Sequence, residues 1–269
     1  MSEIRTYRPI CIPSYTQPDF RAREKYKKAD LHLHTRWSDG IISPERMVDI
    51  AMLTCMDAIA ITDHDMSEPS DIAIDYARRN NLPIEVIRGV EISSRDGHVL
   101  ALNFDGNIEP NMPLDATIKK IHKQMGFAII AHPNLARRSS VPLGLISEII
   151  NSGDPELYID GIEIYNASEA RLQRFDKSGI FFGDDDINIG KFVENNKHNP
   201  KIGAFLGGSD SHTRQIGYGI TVYGYESILD AIKNRDTLVM AADTSFLEDL
   251  SESTRMVYSI IRSHIAGKI

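Results

Sequence analysis

Six of the nine histidines in this 269-residue chain open or close short apolar runs: His32-Leu33-His34, Asp63-His64, Gly97-His98, Ala131-His132-Pro133 and Ser209-Asp210-Ser211-His212. Asp39, in Ser38-Asp39-Gly40, and Glu91, in Gly89-Val90-Glu91, add carboxylates of the same kind. Imidazole and carboxylate without thiolate suit Zn²⁺, Mn²⁺ or Fe²⁺, and the donor types do not choose among them. The set is large enough for two or three divalent ions. Each residue alone has an ordinary reading: a histidine beside a strand is hydrogen-bonded structure, Asp39-Gly40 is a turn, and Asp63 or Asp65 is a loop cap. Independent structural roles would not require seven segments to deliver ligand-type residues to one rim.

The elements that must position these residues are short strands, expected over 29–34, 58–63, 84–92, 98–104, 127–132, 161–165 and 204–208. Helical patterns lie between most of them, which implies parallel pairing in a single α/β domain. Ser93-Ser94-Arg95-Asp96-Gly97 is too short for a crossover helix and reads as a hairpin, so one pair is expected to be antiparallel and the barrel distorted. In a strand, residues two apart share a face. His32 and His34 therefore point together, as do Asp210 and His212 if the last strand stays extended. Ligands at the carboxyl ends of strands occupy the face where α/β barrels carry their active sites. His98 opens its strand instead, and an antiparallel strand begins at that same rim.

Ser43-Pro44 reads as the start of a helix to about Cys55, and Ser245 with Glu248 as a capping box. The last helix places Phe246, Leu250, Val257, Ile261 and Ile265 on one face, for packing on the barrel or on a second subunit. The organisation expected is an arm over 1–28, a barrel over 29–242 and a terminal helix over 243–269, with the arm or helix available for an oligomer contact. His122, His198 and His264 fall away from strand ends and are set aside. Asp184-Asp185-Asp186 reads as a helix start, and Gly217-Tyr218-Gly219 as a rim element or a turn.

A net charge of −8 argues against a broad cationic surface for stable nucleic-acid binding. It does not exclude a nucleotide substrate, because divalent ions in a carboxylate-lined pocket reverse the local sign. Two cysteines, Cys11 and Cys55, make no disulfide framework. No apolar run approaches the length of a membrane span, and residues 1–20 lack the pattern of a signal peptide, so the expectation is cytoplasmic. There is no Gly-x-Ser-x-Gly elbow, no reactive-cysteine signature and no P-loop lysine.

The ordered series His32-x-His34, Ser38-Asp39-Gly40, Thr62-Asp63-His64, Gly89-Val90-Glu91, His98, Ala131-His132-Pro133 and Gly208-Ser209-Asp210-Ser211-His212 resembles the polymerase and histidinol phosphatase (PHP) family of metal-dependent phosphoesterases. The match runs from about Ala29 to Thr221. The resemblance implies a distorted (β/α)7 barrel with a trinuclear metal centre and all nine ligand positions filled. By it, His32, His34, Glu91 and Asp210 hold one ion, Glu91, His98 and His132 a second, and Asp39, His64 and His212 a third. A metal-bridging hydroxide held by Glu91, Asp210 and His212 is then the nucleophile, and no side-chain nucleophile is required.

Arg137 and Arg138 follow the fifth ligand strand, where either would grip a substrate phosphate; the alternative for adjacent loop arginines is exposure to solvent. Arg36, Arg95 and Arg214 are weaker candidates. Family members that degrade oligonucleotides usually carry a small inserted domain before the Ala-His-Pro strand, whereas 104–127 here holds one loop and one helix. The longer excursions, 134–160 and 167–200, point to a small phosphorylated metabolite or a nucleotide end. Alternatives are an exonuclease of the same family, an amidohydrolase-type C–N hydrolase, and a noncatalytic metal-binding regulator. The amidohydrolase class commonly has a bridging modified lysine, and no lysine stands at a middle strand end here.

Overall fold

Several strands of this chain are short and buried on both faces. Ala58–Ile61 is buried at every position, the pattern of a strand enclosed between other layers. The computed structural model describes residues 7–9, 26–133, 139–175 and 185–242. In chain order the elements are β1 (Tyr7–Pro9), β2 (Lys27–Asp30), α1 (Pro44–Leu53), β3 (Ala58–Ile61), α2 (Glu68–Arg79), β4 (Glu85–Ser94), β5 (Gly97–Leu102), α3 (Leu114–Lys123), β6 (Phe127–Ile130), α4 (Leu143–Ile150), β7 (Ile159–Asn166), α5 (Ala167–Phe175), α6 (Asp185–Asn196), β8 (Ile202–Gly208), β9 (Gly219–Tyr223), α7 (Ile228–Lys233) and β10 (Thr237–Ala242).

One sheet runs β1-β10-β9-β2-β3-β4-β5-β6-β7-β8. All seven expected strands are present. The hairpin at 93–97 is also present, with Gly97 at φ +135° in the turn and Ser93 opposite His98. Because β5 is reversed, it is antiparallel to β6 as well as to β4, so two pairs replace the single one expected. The runs 219–223 and 237–242 were not assigned from the sequence; they form β9 and β10, antiparallel to each other and, through β9, to β2. Nine strands thus wrap into a nearly closed mixed barrel, with β1 added on the outer edge of β10. Lys27 and Lys28, placed in the arm by the sequence reading, already belong to β2.

Where β8 meets β9 and β10, side chains complete the wall. Thr221 Oγ1 bonds both N and O of Gly207 at 3.0 Å, and Thr237 Oγ1 donates to Phe205 O at 2.7 Å. The barrel interior holds Ala60, Ile87, Leu100, Leu102, Ile129 and Leu206 in one cluster with Ile228, Ala231 and Ile232 of α7. That helix closes the end away from the metal-ligand residues: Ile228 N–H donates to Glu85 at the start of β4. Outside the wall, α1 and α2 pack on one side and α3, α4 and α6 on the other.

Helix signals behave as expected where they are described. Ser43 Oγ accepts from Arg46 N–H, Pro44 occupies the first turn, and the helix ends at Leu53. Cys55 lies just beyond it at φ +57°. α6 begins at Asp185, inside the acidic triplet. The capping box at Ser245 and Glu248, the final amphipathic helix and Cys11 lie outside the described residues. No described helix is long and apolar enough to cross a membrane.

Leu206 is 2% exposed inside the barrel and touches the space beside Gly161. Leu206→Ala is expected to lower the unfolding free energy by about 2–5 kcal/mol through lost burial and a residual cavity, measured by urea denaturation of metal-free protein.

Candidate metal centre

The extended segment after β2 carries the first two imidazoles. Leu33 bridges Ser211 in parallel, His34 N–H donates to Ser211 O at 3.0 Å, and Thr62 N–H donates to Leu33 O at 2.8 Å. His32 and His34 then project to one centre, with rings 5.1 Å apart. Asp39 sits on a loop held by Asp63, whose Oδ1 accepts from Thr35 N–H at 2.8 Å and Ser38 N–H at 3.1 Å, while Oδ2 accepts from Thr35 Oγ1 at 2.7 Å. A side chain at Gly40 would overlap the carbonyl of His34. The turn reading of Asp39-Gly40 therefore holds, and the turn delivers the Asp39 carboxylate to the cluster.

His64 bridges Glu91 across β3 and β4, and His98 opens β5 at the same rim. His132 and Asp210 follow the ends of β6 and β8 in left-handed backbone conformations, φ +25° and φ +50°, strained for residues with a side chain. β8 does not stay extended to His212, as the shared-face expectation required: the turn at Asp210 sends the two side chains to different partners. Asp210 faces His32 and His34, whereas His212 Nε2 lies 2.9 Å from Asp39 Oδ2.

All nine sequence-predicted ligands meet in this cluster. Glu91 is its hub. Its Oε2 is 3.3 Å from His32 Nε2, 3.1 Å from His34 Nε2 and 3.3 Å from His64 Nδ1. Its Oε1 is 2.7 Å from His98 Nδ1 and 3.0 Å from His132 Nε2. Asp210 Oδ1 is 3.5 Å from His32 Nε2 and 3.2 Å from His34 Nε2. Around Asp39, His34 Nδ1 and His64 Nε2 each stand at 3.6 Å.

These donors fit divalent ions on two observations. His32 Nε2, both nitrogens of His34 and His64 Nδ1 are buried without a hydrogen-bond partner, which is costly unless something else takes their lone pairs. The imidazole–carboxylate distances among His32 Nε2, His34 Nε2, Glu91 Oε2 and Asp210 Oδ1 are 3.1–3.5 Å, and His32, His34 and Glu91 form one ion-sized group. Ligands at 2.0–2.1 Å around a tetrahedral ion stand about 3.3 Å apart.

In the metal-free protein the charges settle by mutual attraction. Burial opposes a charge on His32, but Asp210, Glu91 and Glu163 raise its pKa well above the ordinary value. Against the same burial, the nearby carboxylates of Asp210, Glu91 and Asp39 raise His34 well above the ordinary value. His132 is raised to about 9, with Glu91 overcoming burial. Glu91, Asp210 and Asp39 are held well below the usual carboxylate range by the surrounding imidazoles despite burial.

Several supporting residues were not found from the sequence. Glu163 Oε1 lies 3.2 Å from His32 Nδ1, and its Oε2 accepts from His132 N–H at 2.9 Å. Asp30 accepts from Ser209 N–H at 3.0 Å and Gly217 N–H at 2.7 Å, and burial pushes its pKa up to about 6. The only sequence signal for either was a carboxylate inside an otherwise apolar strand. Asp63 and Asp65 are loop clamps, as their ordinary reading has it; Asp65 accepts from Ser93 N–H at 2.7 Å.

Of the phosphate-gripping candidates, Arg137 and Arg138 lie outside the described residues, and Arg36, Arg95 and Arg214 are exposed. His122 is outside the cluster, 2.9 Å from Asp160 and stacked on Tyr158. His198 lies in the turn after α6, and His264 is outside the described residues.

Residues 30–151 match the model of the PHP domain. Over that stretch the chain is similar to the PHP family of metal-dependent phosphoesterases. It is 28% identical to the uncharacterised protein MJ1587 of Methanocaldococcus jannaschii over 155 residues, 52% of this chain and 82% of that one. Over 80 residues it is 39% identical to the 5'-3' exoribonuclease Rnm of Salmonella typhimurium and 35% identical to the 3',5'-nucleoside bisphosphate phosphatase of Chromobacterium violaceum. Each of those matches covers 28% of this chain and 27% of the relative. A solved two-domain protein from Bacteroides vulgatus with a PHP-like metal-dependent phosphoesterase shares the fold at TM-score 0.56 and 21% identity, over 80% of this chain and 64% of that one.

The folded-state pKa of His132 stands at about 9 against 6.5 for the free side chain. Its proton therefore stabilises the metal-free fold below pH 6.5, and that contribution is lost as pH rises through 9. The thermal midpoint of chelator-treated protein is expected to fall between pH 6.5 and 9. Protein saturated with Mn²⁺ is expected to keep its midpoint over that window, because ligation requires neutral imidazole. Scanning fluorimetry across pH with and without chelator checks both.

Proposed function

We propose that this protein is a metal-dependent hydrolase of phosphate esters, acting on a small phosphorylated metabolite or a nucleotide end. The observation that supports it above others is the hub at Glu91, whose two oxygens face different sets of imidazoles and so suit a carboxylate shared between ions. In this reading His32, His34, Glu91 and Asp210 hold one ion, Glu91, His98 and His132 a second, and Asp39, His64 and His212 a third. Divalent ions bound there would lower the pKa of water and stabilise charge on phosphoryl oxygens during in-line displacement. The chain's contribution is to fix the donors, keep them dry and leave the rim open to phosphate. Zn, Mn and Fe all suit the donor set.

The substrate class is supported from two directions. Two relatives named above are, by name, an exoribonuclease and a nucleoside bisphosphate phosphatase. The connection between β5 and β6 holds only α3 and its loops, with no inserted domain to track a long strand, which favours a compact substrate. Arg137 and Arg138 are proposed to grip the phosphate. No stable nucleic-acid partner is required, in keeping with the net charge of −8.

Elemental analysis of protein purified without chelator, with hydrolysis of p-nitrophenyl phosphate and bis-p-nitrophenyl phosphate on the same sample, tests the proposal. Two to three equivalents of metal with metal-dependent turnover are expected. His34→Ala and Asp210→Ala are expected to lose bound metal and at least 100-fold in kcat, on the order seen for catalytic electrostatic groups, while remaining folded. Full activity in either purified variant would overturn the assignment. Arg137→Ala is expected mainly to raise KM, as removal of ground-state phosphate binding does.

A further inference from the structure

Glu163, on β7, is buried and is not one of the nine ligands. Its two oxygens nevertheless reach two of them directly and a third through Asn166. Oε1 stands 3.2 Å from Nδ1 of His32, the ring nitrogen opposite the Nε2 that faces Glu91 and Asp210. Oε2 accepts from His132 N–H at 2.9 Å and from Asn166 Nδ2 at 3.0 Å. The same Asn166 amide donates to Asp210 Oδ2 at 3.1 Å. Gly208 lies directly behind: a Cβ there would overlap Glu163 Oε1 and stand 2.8 Å from His32 Cβ.

An ionised carboxylate only accepts hydrogen bonds, and a neutral imidazole has one N–H and one lone pair. A carboxylate at Nδ1 therefore keeps the proton there and turns the Nε2 lone pair toward the ion site. The N–H of His132, held at the other oxygen, fixes a residue whose φ of +25° the backbone alone would not favour. We propose that Glu163 is the positioning residue that sets the tautomer of His32 and, with Asn166, aligns His132 and Asp210. The donor groups on either side of Glu91 are thereby assembled as one unit. This rests on the reading of the cluster as a metal centre.

Glu163→Gln tests it with nearly unchanged shape. Two donors, His132 N–H and Asn166 Nδ2, compel the new amide oxygen to face them, which leaves the amide NH₂ toward His32. His32 must then accept at Nδ1 and carry its proton on Nε2, where the ion should bind. Metal titration against a chromophoric chelator is expected to show about 10–100-fold weaker affinity for Co²⁺ and Zn²⁺. In the Co²⁺-loaded protein, the exchangeable paramagnetically shifted N–H resonance of His32 is expected to disappear while those of other imidazoles remain. A merely structural role would not single out one resonance. Glu163→Asp, which keeps the charge but draws the carboxylate back from His32 Nδ1, is expected to weaken metal binding in the same direction and covers the case in which Glu163→Gln does not fold.

Folded variants that bind metal like the wild type and keep the His32 resonance would overturn the role of Glu163 and leave the metal centre standing. A wild-type protein that takes up no metal after reconstitution would overturn both.

Discussion

One buried carboxylate organises this molecule. Glu91 lies within 3.3 Å of imidazole nitrogens from His32, His34, His64, His98 and His132. A carboxylate cannot remain ionised away from water without partners of opposite sign, so the segments bearing those histidines must converge on it. Four do so: the continuation of β2, the end of β3, the start of β5 and the end of β6. The reversal of β5 follows from this demand, since a parallel strand beginning with His98 would place that ring at the opposite end of the barrel.

Around this hub, the scaffold substitutes fixed polar contacts for regular strand pairing. Asp63 clamps the loop that carries Asp39, Asp30 ties Ser209 to Gly217, and threonine hydroxyls complete the wall at β8. Two ligands, His132 and Asp210, stand at positive φ, and both are held by neighbours whose own hydrogen bonds are satisfied. Strain at such positions persists where the surroundings over-determine it, and here the over-determination comes from groups outside the ligand set.

The fold and the donor cluster set what the centre can hold, while substrate choice belongs to other parts of the molecule. A barrel of this architecture supports many chemistries through its rim loops. The Salmonella exoribonuclease and the Chromobacterium phosphatase each align with this chain over 80 residues, about a quarter of their length. The excursions after β6 and β7 leave from the ends of their strands that carry the cluster, whereas the short β5–β6 connection leaves from the opposite ends.

The ligand types, their order and the strands that bear them were legible in the sequence, because residue chemistry and two-residue alternation are local properties. So was the hairpin at 93–97, where five residues leave no room for a crossover. Less was legible where distant segments meet. The runs 219–223 and 237–242 carry β-branched residues, but their antiparallel closure depends on pairing with β2. That His212 turns its Nε2 to Asp39 while Asp210 faces His32 and His34 was hidden in one backbone angle. The link from Glu163 to His32 spans 131 positions of chain, and only the folded barrel brings those two side chains together. Sequence thus determined which donors this protein has, and tertiary structure decided which share an ion-sized space and which orient the rest, because hydrogen-bond geometry across the barrel has no local signature.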